Sequence, residues 1–248
     1  MTKKFLKFSI FIAAIVIICG SCSKDDNNSF QSNPLNGKTT AVFNSNVAYG
    51  SMTDQDSNVY KTVTIGTQTW MAENLRTKKY NDGKTIPNVT DNAAWVNLTT
   101  DAYCSYNNTT NNETIATFGL LYNWYAVNTG KLAPVGWHVA TDADWTQLTD
   151  YLGSDSVAGG KLKETGTSHW NSPNKEASNE TGFTALPAGG HDADETLFYN
   201  LGSYTYWWSS SEYSAENAWF RFVFYDGSNV GRYDGSKQDG FSVRCVKD

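Results

Sequence analysis

Aromatic and planar polar side chains are concentrated in the C-terminal part of the chain, and they are the side chains best suited to binding. Aromatic rings stack on sugar faces or anchor protein contacts, and an arginine fork adds directional hydrogen bonds. The turn-rich stretch 226–239 is therefore the predicted contact surface. The candidate ligand-binding residues are Trp208, Trp219, Tyr225, Asn229, Arg232, Tyr233 and Asp234. For Trp207 and Trp208 the competing interpretation is core packing, because a strand buries alternate residues.

A second group of residues has side chains that can ligate a metal ion. His191, Asp192, Asp194 and Glu195 stand close together in the sequence, and carboxylate oxygens are ligands that Ca²⁺ prefers. Acidic loops are usually just solvated, so these residues are only weak metal candidates. We therefore predict neither a metal nor another cofactor.

Catalysis by a side-chain nucleophile needs a base within hydrogen-bond reach of that nucleophile. His138 lies in a predicted strand beside Trp137, where core packing is expected. His169 precedes Trp170 in a loop, and His191 begins the acidic loop. Because no nucleophile and base are recognisable, we predict that the protein is not an enzyme.

The N-terminal residues predict where the protein is located. Lys3, Lys4 and Lys7 precede a short apolar run, which is typical of a secretory leader because a membrane span needs about 20 apolar residues. Gly20-Ser21 before Cys22 resembles a bacterial lipobox, in which the cysteine is acylated and begins the mature chain. We predict a signal peptide over 1–21, lipidation of Cys22, a flexible tether over 22–45 and a domain over 46–248.

The residues after Cys22 refine this prediction. Ser-Lys-Asp-Asp follows directly and resembles the export tag of surface-exposed lipoproteins of the Bacteroidetes group. We expect an outer-membrane protein that contacts the membrane through lipidated Cys22 and faces the outside.

Charge excludes one class of partner. The chain has 19 Lys and Arg against 25 Asp and Glu, a net charge of −6, and the leader carries three of the basic residues. Because nucleic-acid binding depends on neutralising phosphates with Lys and Arg, we predict no nucleic-acid partner.

Two cysteines, Cys104 and Cys245, remain after Cys19 leaves with the leader and Cys22 is acylated. In an oxidising compartment two cysteines are usually either paired or both buried. A bridge would close a loop of about 140 residues and stabilise the fold by up to roughly 4–5 kcal/mol.

Hydrophobic patterning predicts the elements that position these residues. Apolar residues alternate over 59–65 and 219–225, as in half-buried strands. Thr141 and Asp144 form a capping-box pattern before a helix predicted over 142–152. The compact, aromatic-rich stretch 120–127 predicts another helix. The Asn- and Thr-rich stretch 84–115 predicts a long loop. From 181 onward the pattern is all-β.

Several long motifs resemble one family. They include Val-Thr-Ile-Gly-Thr-Gln-Thr-Trp at 63–70, Gly-Trp-His-Val at 136–139 and Gly-Phe-Ser-Val-Arg-Cys at 240–245. Further matching stretches are 103–108, 121–127, 141–145, 159–164, 169–174, 182–187 and 206–210. This pattern resembles the Fibrobacter succinogenes major paralogous domain.

The resemblance implies a fold similar to C-type-lectin-like and sulfatase-modifying domains. The expected class is α+β, with mixed antiparallel sheets, two or three short helices and long ordered loops. In lectin-like domains the cysteine of the last strand is bridged to the N-terminal half, which implies a Cys104–Cys245 disulfide.

The functional hypothesis is a lipid-anchored surface protein that displays a lectin-like module for an extracellular glycan or protein. Two alternatives stay open. One is a structural or assembly lipoprotein without a soluble ligand, and the other is a divergent enzyme of the sulfatase-modifying fold.

Overall fold

The structure is a computed structural model that describes residue 1 and residues 33–194 and 197–248. The predicted leader, Cys22, the tether up to residue 32 and Glu195 lie outside the described residues. Within the described part of the chain, no helix is long and apolar enough to cross a membrane.

The fold is α+β with mostly antiparallel sheets, as predicted. The strands are β1 (Gly50–Thr53), β2 (Val59–Ile65), β3 (Gln68–Met71), β4 (Tyr103–Cys104), β5 (Leu121–Tyr122), β6 (Trp137–Val139), β7 (Ala188–Asp192), β8 (Leu197–Leu201), β9 (Tyr204–Glu212), β10 (Asn217–Phe224), β11 (Gly231–Ser236) and β12 (Cys245–Lys247). The helices are α1 (Asn92–Trp95), α2 (Asn112–Phe118), α3 (Trp124–Val127), α4 (Asp142–Tyr151) and α5 (Asp155–Leu162).

Two five-stranded sheets and a two-stranded ribbon make up the β structure of the described residues. The first sheet has the order β1-β2-β3-β12-β6, the second has the order β11-β10-β9-β7-β8, and β4 pairs with β5. The pairings are antiparallel except that of β7 with β9. The C-terminal strand β12 lies between β3 and β6, so the two ends of the domain meet in one sheet.

The second sheet has a hydrophobic cluster on each of its faces. Trp208 packs against Phe241 in the first cluster. Trp207 packs among Trp70, Trp145 and Phe183 in the second cluster. Successive side chains of a strand point to opposite faces, and both faces of β9 are covered. Both indoles are therefore fully buried, and the prediction that Trp208 contacts a ligand is wrong.

The described residues form five α-helices, which is more than the two or three that were predicted. The stretch predicted as a long loop contains α1 and the beginning of α2. The side chain of Asn111 caps α2 by accepting from the backbone N of Thr114 at 2.9 Å. The helix predicted over 120–127 is a short strand followed by α3. The change occurs at buried Asn123, whose side chain caps α3 and accepts from the backbone N of Ala126 at 3.1 Å.

The folded domain begins before residue 46. Leu35 is buried in the first hydrophobic cluster, and the backbone N of Val42 donates to Glu164 over 2.6 Å. The amide of Asn44 donates to the carbonyl of Asn179 over 3.0 Å. Residues 33–45 are thus held on the domain, and the prediction that the flexible tether extends to residue 45 is wrong for this part.

The two described cysteines are free and buried, so the predicted Cys104–Cys245 disulfide is wrong. In the β4–β5 ribbon, Cys104 stands opposite Leu121 and next to Tyr103, which stands opposite Tyr122. Alternate residues of a strand face opposite sides. Tyr122 and Cys245 belong to the first cluster, whereas Cys104 and Leu121 belong to a third one, so the thiols lie on opposite sides of the ribbon.

Candidate functional site

One face of the β10–β11 hairpin carries three of the candidate ligand-binding residues, Trp219, Arg232 and Asp234. In the antiparallel register Trp219 stands opposite Asp234, and Arg221 stands opposite Arg232. Residues opposite each other and residues two positions apart share a face of the sheet. We call the surface formed by Tyr213, Asn217, Trp219, Arg232 and Asp234 the Trp219 face.

The centre of the Trp219 face is a stacked pair. The guanidinium carbon of Arg232 lies 3.3 Å from the ring centroid of Trp219. The ring of Tyr213 meets Trp219 edge-on, with the centroids 4.6 Å apart. A cation over an indole is favoured by the ring quadrupole. The half-buried Trp219 is therefore fixed between Arg232 and Tyr213.

A carboxylate at the start of α4 holds Arg232 in place. Asp142 Oδ1 accepts from Arg232 Nε at 3.0 Å, and Asp142 Oδ2 accepts from Nη2 at 2.9 Å. The buried Arg221 also donates to Asp142 Oδ1, over 2.8 Å. Burial alone would raise the pKa of Asp142, but the hydrogen bonds from the two arginines outweigh burial and lower it. The carboxylate is thus a stable anchor for the guanidinium.

Arg232 keeps one edge of its guanidinium available. Its Nε and Nη2 bind Asp142, whereas Nη1 makes no hydrogen bond with the described residues. The side chain is 39% exposed, and Tyr213 beside it is 53% exposed. The face therefore offers a directional donor next to an aromatic ring, and the charge of that donor is balanced by Asp142.

Next to the stacked pair of Trp219 and Arg232, the polar side chains of Asn217 and Asp234 hold each other in place. Asn217 donates from Nδ2 to Asp234 Oδ2 over 2.7 Å, which leaves the other carboxylate oxygen and the amide oxygen as acceptors at the edge of the face. Groups held this way lose little freedom on binding, which favours affinity. Chemically the arrangement suits stacking and hydrogen bonding to a polar ring.

The family model of the Fibrobacter succinogenes major domain matches residues 63–247. The chain belongs to this family. No curated protein and no solved structure matches the chain. Two charged residues in the matched motifs of this Fibrobacter succinogenes major domain, Lys163 and Arg244, are buried and bound to backbone carbonyls, so they stabilise the domain's interior.

Arg244 shows how such a motif residue acts. Its guanidinium donates to Asn74 at 2.7 Å, to the carbonyl of Met71 at 2.8 Å and to the carbonyl of Phe183 at 3.0 Å. Burial lowers its pKa to about 9. The residue joins the last segment of the domain to the end of β3 and to the turn at 183–184, and it does not reach the surface.

The remaining sequence candidates lie away from the Trp219 face. Tyr233 is 65% exposed but stands opposite Phe220, on the other face of the hairpin. Tyr225 packs against the second hydrophobic cluster. The carbonyl of Asn229 lies against Gly159 of α5, where an added methyl would come within 2.4 Å of it. Trp219, Arg232 and Asp234 are therefore the predicted residues that the fold brings together.

Three residues of this region were not predicted. Tyr213 and Asn217 flank the turn between β9 and β10, and an alternation pattern extended across that turn would have included them. In the sequence, Asp142 is only the first residue of the helix predicted over 142–152. Its pairing with Arg232, 90 residues away, has no local signal in the sequence.

The three described metal candidates, His191, Asp192 and Asp194, do not converge. His191 is buried between Trp95 and Phe198, with ring centroids 5.0 and 4.4 Å away, and burial lowers its pKa to about 4. Asp192 is the next residue of β7 and so points to the opposite face, and Asp194 is exposed. Within the described ranges no three His, Cys, Asp or Glu side chains could hold a metal ion.

Proposed function

We propose that this protein is a lipid-anchored protein of the outer cell surface whose domain binds an extracellular glycan or protein through the Trp219 face. The observation that carries the proposal is the stacked pair of Trp219 and Arg232. It is fixed by Asp142 and partly open to solvent. Tryptophan and arginine are the residues most enriched at binding hot spots.

A glycan is the ligand class that this face favours. The charge of Arg232 is balanced by Asp142, so the face has little net attraction for a polyanion. Its groups are flat rings, an amide, a carboxylate and a guanidinium edge, which match the apolar ring faces and equatorial hydroxyls of sugars. The domain fold that we propose for this role is C-type-lectin-like. The element order of α3, β6 and α4 before a β-rich half supports it.

The anchor rests on the sequence alone. Gly20-Ser21-Cys22 supports acylation of Cys22, and the Ser-Lys-Asp-Asp that follows supports export to the outer face. Mass spectrometry of the N-terminal peptide should find a diacylglycerol-modified Cys22, and surface-added protease should degrade the protein on intact cells. An unmodified Cys22 would overturn the anchor, and resistance to protease that ends on lysis would overturn outward exposure.

Binding is tested with the purified full-length protein on a glycan array and by titration of the glycans that bind. Trp219→Ala and Arg232→Ala should each weaken binding about tenfold or more, because a partly desolvated stacking contact contributes about 1–2 kcal/mol. Arg232→Lys should also weaken binding, because lysine keeps the charge but loses the planar fork.

Tyr233→Ala is the matched control. Tyr233 is an exposed aromatic residue of the same strand as Arg232 but lies on the opposite face, so its loss should change affinity less than twofold. An array without any bound glycan, or equal affinity of the Trp219→Ala and wild-type proteins, would overturn the glycan proposal. Capture of a protein that depends on Trp219 and Arg232 would assign the face to a protein ligand.

A further inference from the structure

A concave surface lies at the C-terminal end of α4, away from Asp142 and the Trp219 face. Two adjoining hollows, with volumes of about 300 and about 390 Å³, flank the β2–β3 turn and the last turn of the helix. Ile65, Gly66 and Tyr151 line both hollows. Tyr151 is 65% exposed. We call this surface the Tyr151 groove.

The ring of Tyr151 is held against backbone. A methyl group added at Gly66 would lie 3.0 Å from two carbons of the ring, so the ring rests directly on the glycine. Gly66 has a φ of +62° and begins the two-residue turn that joins Ile65 to Gln68. A tight hairpin turn of this kind requires glycine. One face of the tyrosine is thus fixed by the turn, while the ring remains largely accessible.

The rim of the groove consists of hydroxyl and amide groups. Gln147 donates from Nε2 to Thr67 Oγ1 over 2.8 Å, which orients the amide and leaves its oxygen toward solvent. Thr181 donates to the carbonyl of Lys161 over 3.0 Å. Thr181 Oγ1 also accepts from the backbone N of Phe183 over 3.1 Å, and a hydroxyl oxygen that accepts one hydrogen bond keeps a second acceptor site. The rim can therefore exchange several hydrogen bonds with a polyhydroxylated ligand.

The groove is nearly neutral although the protein is acidic. Among the described residues that line the two hollows, Glu180 is the only charged one, and Lys161 pairs with it at 3.3 Å. A phosphorylated or carboxylated ligand would find no cation among these residues. A flat ring with neutral donors and acceptors around it matches a hydroxyl-rich, uncharged ring.

We propose that the Tyr151 groove binds a neutral saccharide, with a sugar ring against Tyr151 and its hydroxyls against Gln147 and the threonines. This site is separate from the Trp219 face. Neighbouring residues of α4 point to the two surfaces, since Thr146 accepts from Arg221 at 3.0 Å whereas Gln147 binds Thr67. The proposal therefore does not depend on the function of the Trp219 face.

The test uses the purified full-length protein with neutral hexasaccharides of glucose, xylose, mannose and N-acetylglucosamine, and with oligogalacturonate as the charged comparison. Binding is measured by ligand-observed NMR and calorimetry. At least one neutral oligosaccharide should bind, and Tyr151→Ala should weaken its binding at least tenfold. Tyr151→Phe should retain most of the affinity because it keeps the ring.

Tyr233→Ala is the matched control, because it removes an exposed tyrosine that belongs to neither the Tyr151 groove nor the Trp219 face, and it should change this affinity less than twofold. Circular dichroism melting curves establish that each variant is folded. The proposal is overturned if no neutral oligosaccharide binds, if Tyr151→Ala binds like wild type, or if oligogalacturonate or a casein-derived peptide binds the groove more tightly. Loss of binding in Trp219→Ala instead of Tyr151→Ala would also overturn it, and would leave the Trp219 face as the glycan site.

Discussion

The ammonium group of Lys163 donates a hydrogen bond to the carbonyl oxygen of Gly227 over 2.8 Å. It also donates to the carbonyls of Lys175 and Phe224 at 2.9 and 3.0 Å, so its three N–H bonds all have acceptors although the side chain is fully buried. Burial lowers the pKa of Lys163 to about 8. Lys163, directly after α5, therefore binds the end of β10 and the loop that follows it.

Replacing this amine should destabilise the domain strongly. Lys163→Met keeps the length of the side chain but leaves three carbonyl groups without a donor, so we expect the free energy of unfolding to fall by about 3 kcal/mol or more. Lys161→Met is the control, because Lys161 is partly exposed and, among the residues that the structure describes, forms an ion pair with Glu180 alone. Its effect should stay below about 1 kcal/mol. Urea unfolding measures both, and equal losses would contradict the assigned role.

The segment before residue 46 should stabilise the domain. Glu164 is buried and accepts from the backbone N of Val42, and Leu35 is buried in the core. Removing both contacts loses about 2 kcal/mol of apolar burial and leaves Glu164 Oε1 without its donor, while Oε2 keeps its contact with His169. A fragment that begins at 46 should therefore be less stable by about 2–4 kcal/mol than one that begins at 33. Denaturant midpoints test this, and identical midpoints would show that the segment contributes nothing.

Local patterns in the sequence predicted α4 and β2 correctly. The capping box of α4 is formed as expected, with Thr141 Oγ1 accepting from the backbone N of Asp144 at 3.1 Å and Asp144 accepting from the backbone N of Thr141 at 2.8 Å. β2 spans the predicted residues. Caps and alternation are properties of neighbouring residues, so a single sequence is enough to find them.

Features that depend on distant partners could not be predicted this way. In β2 the buried side changes along the strand, because Tyr60 enters the first cluster and Val63 enters the second. The same covering of both faces buries Trp207 and Trp208 together. The pairing of Asp142 with Arg232 likewise needs the fold. A sheet that is buried on both faces shows no clean alternation of apolar and polar residues. The sequence pattern therefore predicted more exposed aromatic side chains than the structure has.

The thiols of Cys104 and Cys245 should be unreactive in the native protein. Burial raises the pKa of both thiols above its ordinary value, and thiolate is the reactive form. Alkylation with iodoacetamide followed by peptide mapping should label both cysteines only after unfolding in guanidinium. Reductant should leave the melting temperature unchanged. A peptide that joins the two cysteines, or a melting temperature lowered by reductant, would show that they are bridged after all.

Stability should depend on pH through Asp239. Burial, reinforced by repulsion from Asp192 and Asp194, raises the pKa of Asp239 to about 7 from an ordinary value of 3.8. Between these two values the folded protein holds a proton that the unfolded chain has released, so the free energy of unfolding falls as pH rises from about 4 to 7 and levels off above it.

Asp239→Asn keeps an acceptor for the backbone N of Ala193 and removes the charge. The variant should therefore gain stability relative to wild type at pH 8, by at most about 4 kcal/mol, and much less at pH 4. Urea unfolding at both pH values measures this difference, and Asp150→Asn, at an exposed position of α4, controls for the loss of one negative charge. A gain that is the same at both pH values, or matched by Asp150→Asn, would contradict the assignment to Asp239.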